Sequence, residues 1–248
     1  ARMEQAGASR PIAKSGIAAT PVPHSASLHA GYKGTCSKER HMIKIWGRNT
    51  SVNVQKVMWA VGELGLSHER IDVGGPFGKN NEPAYLAMNP NGLVPTLEED
   101  GFVLWESNAI VRYLAAKYGA GTLEPSDMCA RARAGSWMDW QLTVAHPPLT
   151  PVFWGLIRTP PEKRDHAAIE AGKVKCVAVM KILNAHLASS AFVAGDALSM
   201  GDIPVALMAY RFRRLVPERP ALEHLERWFA AIEQRPAFKQ HVLAIPFV

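Results

Sequence analysis

Strand-like patterning in this chain is confined to residues 43–105, and every periodic segment after that point has helical spacing. That asymmetry constrains the fold more than any single motif. Ile43, Lys44, Ile45 and Trp46 read as a short buried strand. A polar turn, 47–51, follows. Val54, Val57, Met58, Val61 and Leu64 then recur at helical spacing, and Gly65 ends the run. A second strand is expected over 68–73, and a short helix over 84–88 precedes Asn89-Pro90-Asn91-Gly92. Strands over 94–97 and 102–105 are separated by Glu99-Asp100-Gly101, a tight hairpin turn, and Ser107 opens a helix through Tyr118. The order is βαβ, hairpin, helix. Beyond Gly119-Ala120-Gly121, helices are expected over 127–146, 162–188, 202–214 and 221–234, with Ile169, Cys176, Met180, Leu183 and Leu187 as one apolar stripe. The chain therefore reads as a small α/β domain (42–120), a linker ending at Pro125, and an all-α domain (126–248).

Residues 1–41 stand apart. They are rich in Ala, Ser, Gly and Pro and lack apolar periodicity, so they read as a disordered or non-native extension. Few acids and scattered Arg/Lys give them a superficial likeness to a transit peptide. Met42 directly precedes the first strand, and the native protein is expected to begin there; intact-mass analysis of protein from its source checks this. The segment also explains the charge. It holds six Lys/Arg against two acids, so it carries +4 of the net +6. The rest interleaves no basic and aromatic residues, which argues against nucleic acid as a partner. No run approaches the roughly 18 apolar residues of a membrane helix. The three cysteines, Cys36, Cys129 and Cys176, form neither a CxxC pair nor a zinc spacing. A disulfide framework and a metal site are not expected, and a reducing, cytoplasmic setting fits best.

Three places could carry chemistry. Ser51 follows a strand and turn and directly precedes a helix, whose first N–H groups and partial positive charge stabilise an anion such as a thiolate. Read locally, Ser51 is more often merely a helix cap, and Asn53 a solvated polar residue of the first turn. Val94-Pro95 stands at the mouth of a strand. With a cis bond there, the Val94 backbone would face a cleft and could pair with an extended peptide. Glu106-Ser107 stands at another helix start, where Ser107 caps the helix. A ligand carboxylate is favoured at that end, and Glu106 could receive an ammonium group. Trp137 and Trp140, with Trp154, read as core, or as lining for an apolar pocket with His146 if their helix faces a cleft. Ser199-Met200-Gly201-Asp202, flanked by Leu198 and Ile203, has the spacing of a capping box with a hydrophobic staple, which makes Asp202 structural.

Taken together, the motifs resemble the glutathione S-transferase superfamily over residues 42 to about 240. NPNGLVPTL (89–97) is similar to the family's NPxGxVPxL segment, WESNAIVRYLA (105–115) to its ESxAIxxYL segment, and SMGD (199–202) to its capping box. With WGRNTS (46–51), the similarity points to a bacterial subgroup near the theta class. The resemblance implies a thioredoxin-like first domain, a helical second domain, a homodimer and glutathione as co-substrate. It places Ser51 at the position contacting the glutathione sulfur and Asn53 at a residue that serves this purpose in some bacterial members. Val94 matches the residue pairing with the cysteinyl backbone, Pro95 the cis-proline, and Glu106 and Ser107 the pair binding the γ-glutamyl end. Asn80 falls where a His or Gln contacts the glycyl end. Leu93 departs from the Lys or Gln often found there, so a glycyl-carboxylate contact is either missing or supplied elsewhere, for example by Arg48 or Lys79. The implied reaction is thiolate attack on a small, possibly halogenated electrophile, and the implied role is detoxification. The rivals are a glutathione-dependent disulfide reductase or peroxidase, and a non-catalytic binding module. The absence of Cys at position 51 weighs against a mixed disulfide with the protein.

Overall fold

The structure is a computed structural model in which residues 42–248 are described. The expectations for residues 1–41, including a native start at Met42, concern residues outside that range.

Four strands form one mixed sheet in the order β2-β1-β3-β4: β1 (Ile43–Trp46), β2 (His68–Ile71), β3 (Thr96–Glu99) and β4 (Phe102–Trp105). β1 pairs with β2 in parallel, with Ile43 opposite His68, and with β3 in antiparallel, with Ile45 opposite Leu97. β1 alternates as its sequence does. Ile43 and Ile45 are buried on one face, while Lys44 and Trp46 on the other reach Glu98 at 3.3 Å and 3.2 Å. Two helices cover the apolar face: α1 (Val52–Glu63) and α3 (Ser107–Tyr118). α2 (Pro83–Met88) lies in the connection between β2 and β3. From Ser107 onward every extended element among the described residues is helical, as the loss of period-2 patterning requires. No helix among them is long and apolar enough to cross a membrane.

Two expectations move. β3 begins at Thr96, not Val94, because Val94 and Pro95 stand outside the ladder. The helix expected over 127–146 is α4 (Met128–Trp140), and it does not stop where the sequence pattern fades. It continues through a π turn (Gln141–Ala145), α5 (His146–Phe153) and a second π turn (Trp154–Arg158). Pro147, Pro148 and Pro151 each lack a backbone donor, which makes the segment unreadable as helix from sequence. A widened turn lets the chain pass such gaps without ending the helix.

The remaining helices are α6 (His166–Leu187), α7 (Asp202–Leu215), α8 (Glu223–Glu233) and a short α9 (Pro236–Phe238) that runs into a third π turn (Lys239–Leu243). α5 lies directly on α6. A Cβ added at Gly172 would stand 2.6 Å from Val152 Cγ2, so only a hydrogen fits there. Asp127 and Asp165 cap α4 and α6 through the N–H groups of Ala130 (2.8 Å) and Ala168 (2.9 Å).

Asp202 heads α7 and is fully buried. Its carboxylate accepts from Ser199 N–H (2.9 Å), Ser199 Oγ (3.0 Å), Val193 N–H (2.9 Å) and Trp228 Nε1 (2.9 Å). Leu198 and Ile203 are both buried beside it. α1 is buried on two faces, against the sheet and against α7 and α9. The Trp59 and Phe238 rings meet at 4.8 Å, and Arg235 forks onto Glu63 at 2.7 Å and 2.6 Å.

Candidate active site

β1 ends at Trp46, the chain turns through Gly47, and α1 begins at Val52, which sets Ser51 at the helix N-terminus. Ser51 has the extended dihedrals of a cap residue (φ −77, ψ 123), and its C=O accepts the first helical bond from Gln55 at 2.9 Å. Its hydroxyl makes no capping hydrogen bond. The local reading of Ser51 as a helix cap therefore describes its backbone only. The side chain lines a cavity of about 700 Å³ between the start of α1, the loop at Gly75–Phe77, and α5 and α7.

A second, narrower crevice of about 40 Å³ opens near the next turn of α1. Asn53, Asn89, Asn91, Leu93, Val94, Pro95, Glu106 and Ser107 line it. The sequence elements singled out at 53, 94–95 and 106–107 thus converge on one place. The Val94-Pro95 bond is cis, and among the described residues Val94 joins neither the strand ladder nor a backbone turn hydrogen bond. The segment is held from behind. Asn89 is buried, accepts from Asn91 N–H at 3.1 Å and donates to Leu93 O at 2.8 Å, where Tyr85 Oη also donates at 2.6 Å. These bonds explain what Asn89-Pro90-Asn91-Gly92 does: its side chains fix the backbone that presents Val94.

Ser107 is the first residue of α3 rather than its cap, and Glu106 occupies the cap position with φ 71. A positive φ at a residue other than Gly costs on the order of 1–3 kcal/mol and concentrates at ligand sites. It leaves the Glu106 side chain exposed, while Ser107 is buried and donates to Asn53 Oδ1 at 3.4 Å.

Asn80 lines neither cavity; its side-chain amide donates to Gly92 O at 2.8 Å and braces the loop. Lys79 is exposed and lines neither, whereas Arg48 lines the large cavity. His146 lines it too, and burial, then the charges of Lys56 and Arg211, push its imidazole pKa down. Trp137 and Trp140 stay outside. Their rings stack edge-on at 4.8 Å, and Trp137 lies 4.7 Å from His186. The exposed Trp154 is the tryptophan that lines the cavity. Among the described residues, no group of three or more His, Cys, Asp or Glu could hold a metal.

Lys56 lies one turn beyond Asn53 and escapes the sequence pattern. It is buried at 1% exposure, and its ammonium donates to Gln141 Oε1 (2.9 Å), Asn108 Oδ1 (3.2 Å) and Ser107 Oγ (3.4 Å). Burial, opposed by Glu106 and aided by Arg211, lowers its pKa to about 7. The unfolded chain then binds a proton that the folded chain lacks between about pH 7 and the ordinary lysine value. Stability from this group is flat below pH 7 and rises above it by up to about 1.4 kcal/mol per pH unit. Urea unfolding of wild type and Lys56→Met at pH 7 to 9 is expected to show that rise only in wild type; parallel profiles would remove the titration.

The glutathione S-transferase N-terminal domain model matches residues 50–117, and the C-terminal domain model matches residues 142–236. The chain is 44% identical over 207 residues to glutathione S-transferase GstB of Escherichia coli K12, covering 82% of this chain and 98% of that protein. It is 34% identical to glutathione S-transferase 3 of Zea mays, covering 82% and 95%. A theta-class glutathione S-transferase from Xanthomonas axonopodis pv. citri, solved with glutathione bound, superposes with a TM-score of 0.80 at 42% identity, covering 84% of this chain and all of that one. A relative matched over nearly its whole length at this identity settles the assignment: the chain belongs to the glutathione S-transferase family.

Proposed function

We propose that the chain is a glutathione transferase in which the crevice at Val94 and Ser107 takes the γ-glutamyl end of glutathione, the thiol reaches Ser51, and the large cavity receives the electrophile. The observation that carries this is the placement of Ser51. An uncommitted hydroxyl at a helix N-terminus lines the large cavity, two residues from the Asn53 that lines the crevice. The peptide backbone would pair with Val94, and the γ-glutamyl end would meet Glu106 and Ser107. Asn53, hydrogen-bonded to Ser107, links that end to the start of α1.

The chemistry is thiol activation. A free thiol titrates near 8.5, so little thiolate exists at neutral pH. Donation from Ser51 Oγ, and the unpaired N–H groups at the start of α1, favour the anion. The thiolate attacks an electrophilic carbon, and the leaving group departs with its bonding pair. The reading includes a homodimer, as the resemblance implies. The reading extends to a cytoplasmic, detoxifying role.

The test compares a halogenated alkyl or aryl substrate with a disulfide substrate, both with glutathione. Faster turnover of the halide is expected. A preference for the disulfide would favour a reductase, and failure to bind immobilised glutathione would favour a binding module. Within the same assay, Ser107→Ala is expected to raise the glutathione KM about tenfold, the loss of one hydrogen bond to a charged group. An unchanged KM would separate Ser107 from the ligand.

A further inference from the structure

The large cavity carries a charge pattern that thiol activation does not need. Arg48, Arg158 and Arg211 all line it, and no Asp or Glu does. They come from three separate elements: the turn after β1, the π turn after α5, and α7. Arg158 donates to Val248 O at 3.1 Å. Among the described residues, Arg48 and Arg211 make no side-chain hydrogen bond and no ion pair. Arg211 is held instead between aromatic faces, 4.1 Å from the Phe153 centroid and 5.9 Å from that of Phe247. Arg48 packs against the Gly74-Gly75 backbone, where a Cβ on Gly75 would stand 2.9 Å from its Cδ. Both guanidinium groups are thus positioned by apolar or backbone contacts, with their donors unspent. Burial and the charge of Arg158 lower the pKa of both, that of Arg211 to about 10. Arg158 has the Val248 oxygen beside it, whereas Arg48 and Arg211 have no counter-charge among the described residues; half-desolvated cations of this kind are costly, and an anion arriving among them relieves that cost. The same wall is apolar between the charges: Phe77, Phe153 and Trp154 line it, two of them exposed.

We infer that this cavity selects electrophiles carrying their own anionic group, a carboxylate in particular, gripped by Arg211, Arg158 and Arg48, while an apolar body lies on the exposed Phe77 and Trp154. The inference rests on the transferase reading above and names the substrate class for it. An arginine fork suits the two oxygens of a carboxylate. A charged substrate gains most from such a fork when water is partly excluded.

The experiment uses a matched pair of electrophiles, 4-(bromomethyl)benzoate and its methyl ester, with glutathione and the full chain. In both, the C–S bond forms at the benzylic carbon as the C–Br bond breaks, bromide leaves with the bonding pair, and the thiol proton goes to solvent. After subtraction of the uncatalysed rate, the carboxylate is expected to exceed the ester at least tenfold in kcat/KM. Added salt should narrow that ratio. Arg211→Gln and Arg158→Gln should each lower the ratio severalfold, and Arg211→Lys should retain part of it. Turnover of the ester at an equal or higher kcat/KM overturns the inference and leaves the transferase reading standing. Turnover of neither probe overturns both. A rise in the glutathione KM in Arg211→Gln with the ratio intact assigns the arginines to glutathione itself and also overturns it.

Discussion

Ser51→Ala is expected to lower kcat/KM for conjugation about 100-fold, because one preorganised donor to a developing or resident anion is worth roughly 10²–10³ in rate. The same substitution should leave stability nearly unchanged. An Ala in place of a working cap costs about 0.5–2 kcal/mol, but the Ser51 hydroxyl caps nothing. The two readouts therefore separate a catalytic role from a structural one. The bound thiol should titrate higher in the variant, seen by ultraviolet absorbance of the thiolate. Unchanged turnover together with an unchanged thiol pKa would shift activation to Asn53, whose amide lies one half-turn along α1.

Asp202 is where stability should suffer most. Four donors converge on one buried carboxylate: two backbone N–H groups, the Ser199 hydroxyl and the Trp228 indole. Asp202→Ala strands them all. A stranded buried donor costs about 1–3 kcal/mol, and breaking a buried charged network costs about 3–5 kcal/mol in total. Against a usual folding free energy of about 5–15 kcal/mol, that loss leaves a protein expected to melt far earlier. Urea unfolding should show a large fall in midpoint with an unchanged m value. Asp202→Asn tests the charge separately. It keeps the shape but turns an NH2 toward the donors, so recovery of less than half the loss is expected. A wild-type midpoint in Asp202→Ala would overturn the network's importance.

The α/β region was open to sequence reasoning because each strand is short, alternates or is buried, and ends at a turn residue. Of the local cues, Asn53, Val94-Pro95 and Glu106-Ser107 line one crevice, and Ser51 lines the larger cavity two residues away. What stayed hidden has physical causes. The prolines at 147, 148 and 151 mask a continuing helix that survives through π turns. Lys56 is silent because α1 is buried on two faces, and a single apolar stripe describes only one of them. Trp137 and Trp140 face away from the cavity, a matter of which side of α4 meets the cleft, and local periodicity does not decide that. Arg211 carried a faint signal: it stands within α7, a helix buried along most of its length. A charge in such a helix needs either a partner or an opening, and here it has the opening.

The Glu63–Arg235 fork joins residues 172 positions apart. Ribosomes extend chains at about 5–20 residues per second, so α1 waits roughly 9–34 s after its own synthesis before Arg235 and Phe238 emerge to cover it. During that interval Trp59 lacks its aromatic neighbour, and one apolar flank of α1 is exposed to solvent. The sheet region is thus made first yet finished last, and its exposure to misassociation or to a holding chaperone is set by the pace of elongation through the helices downstream.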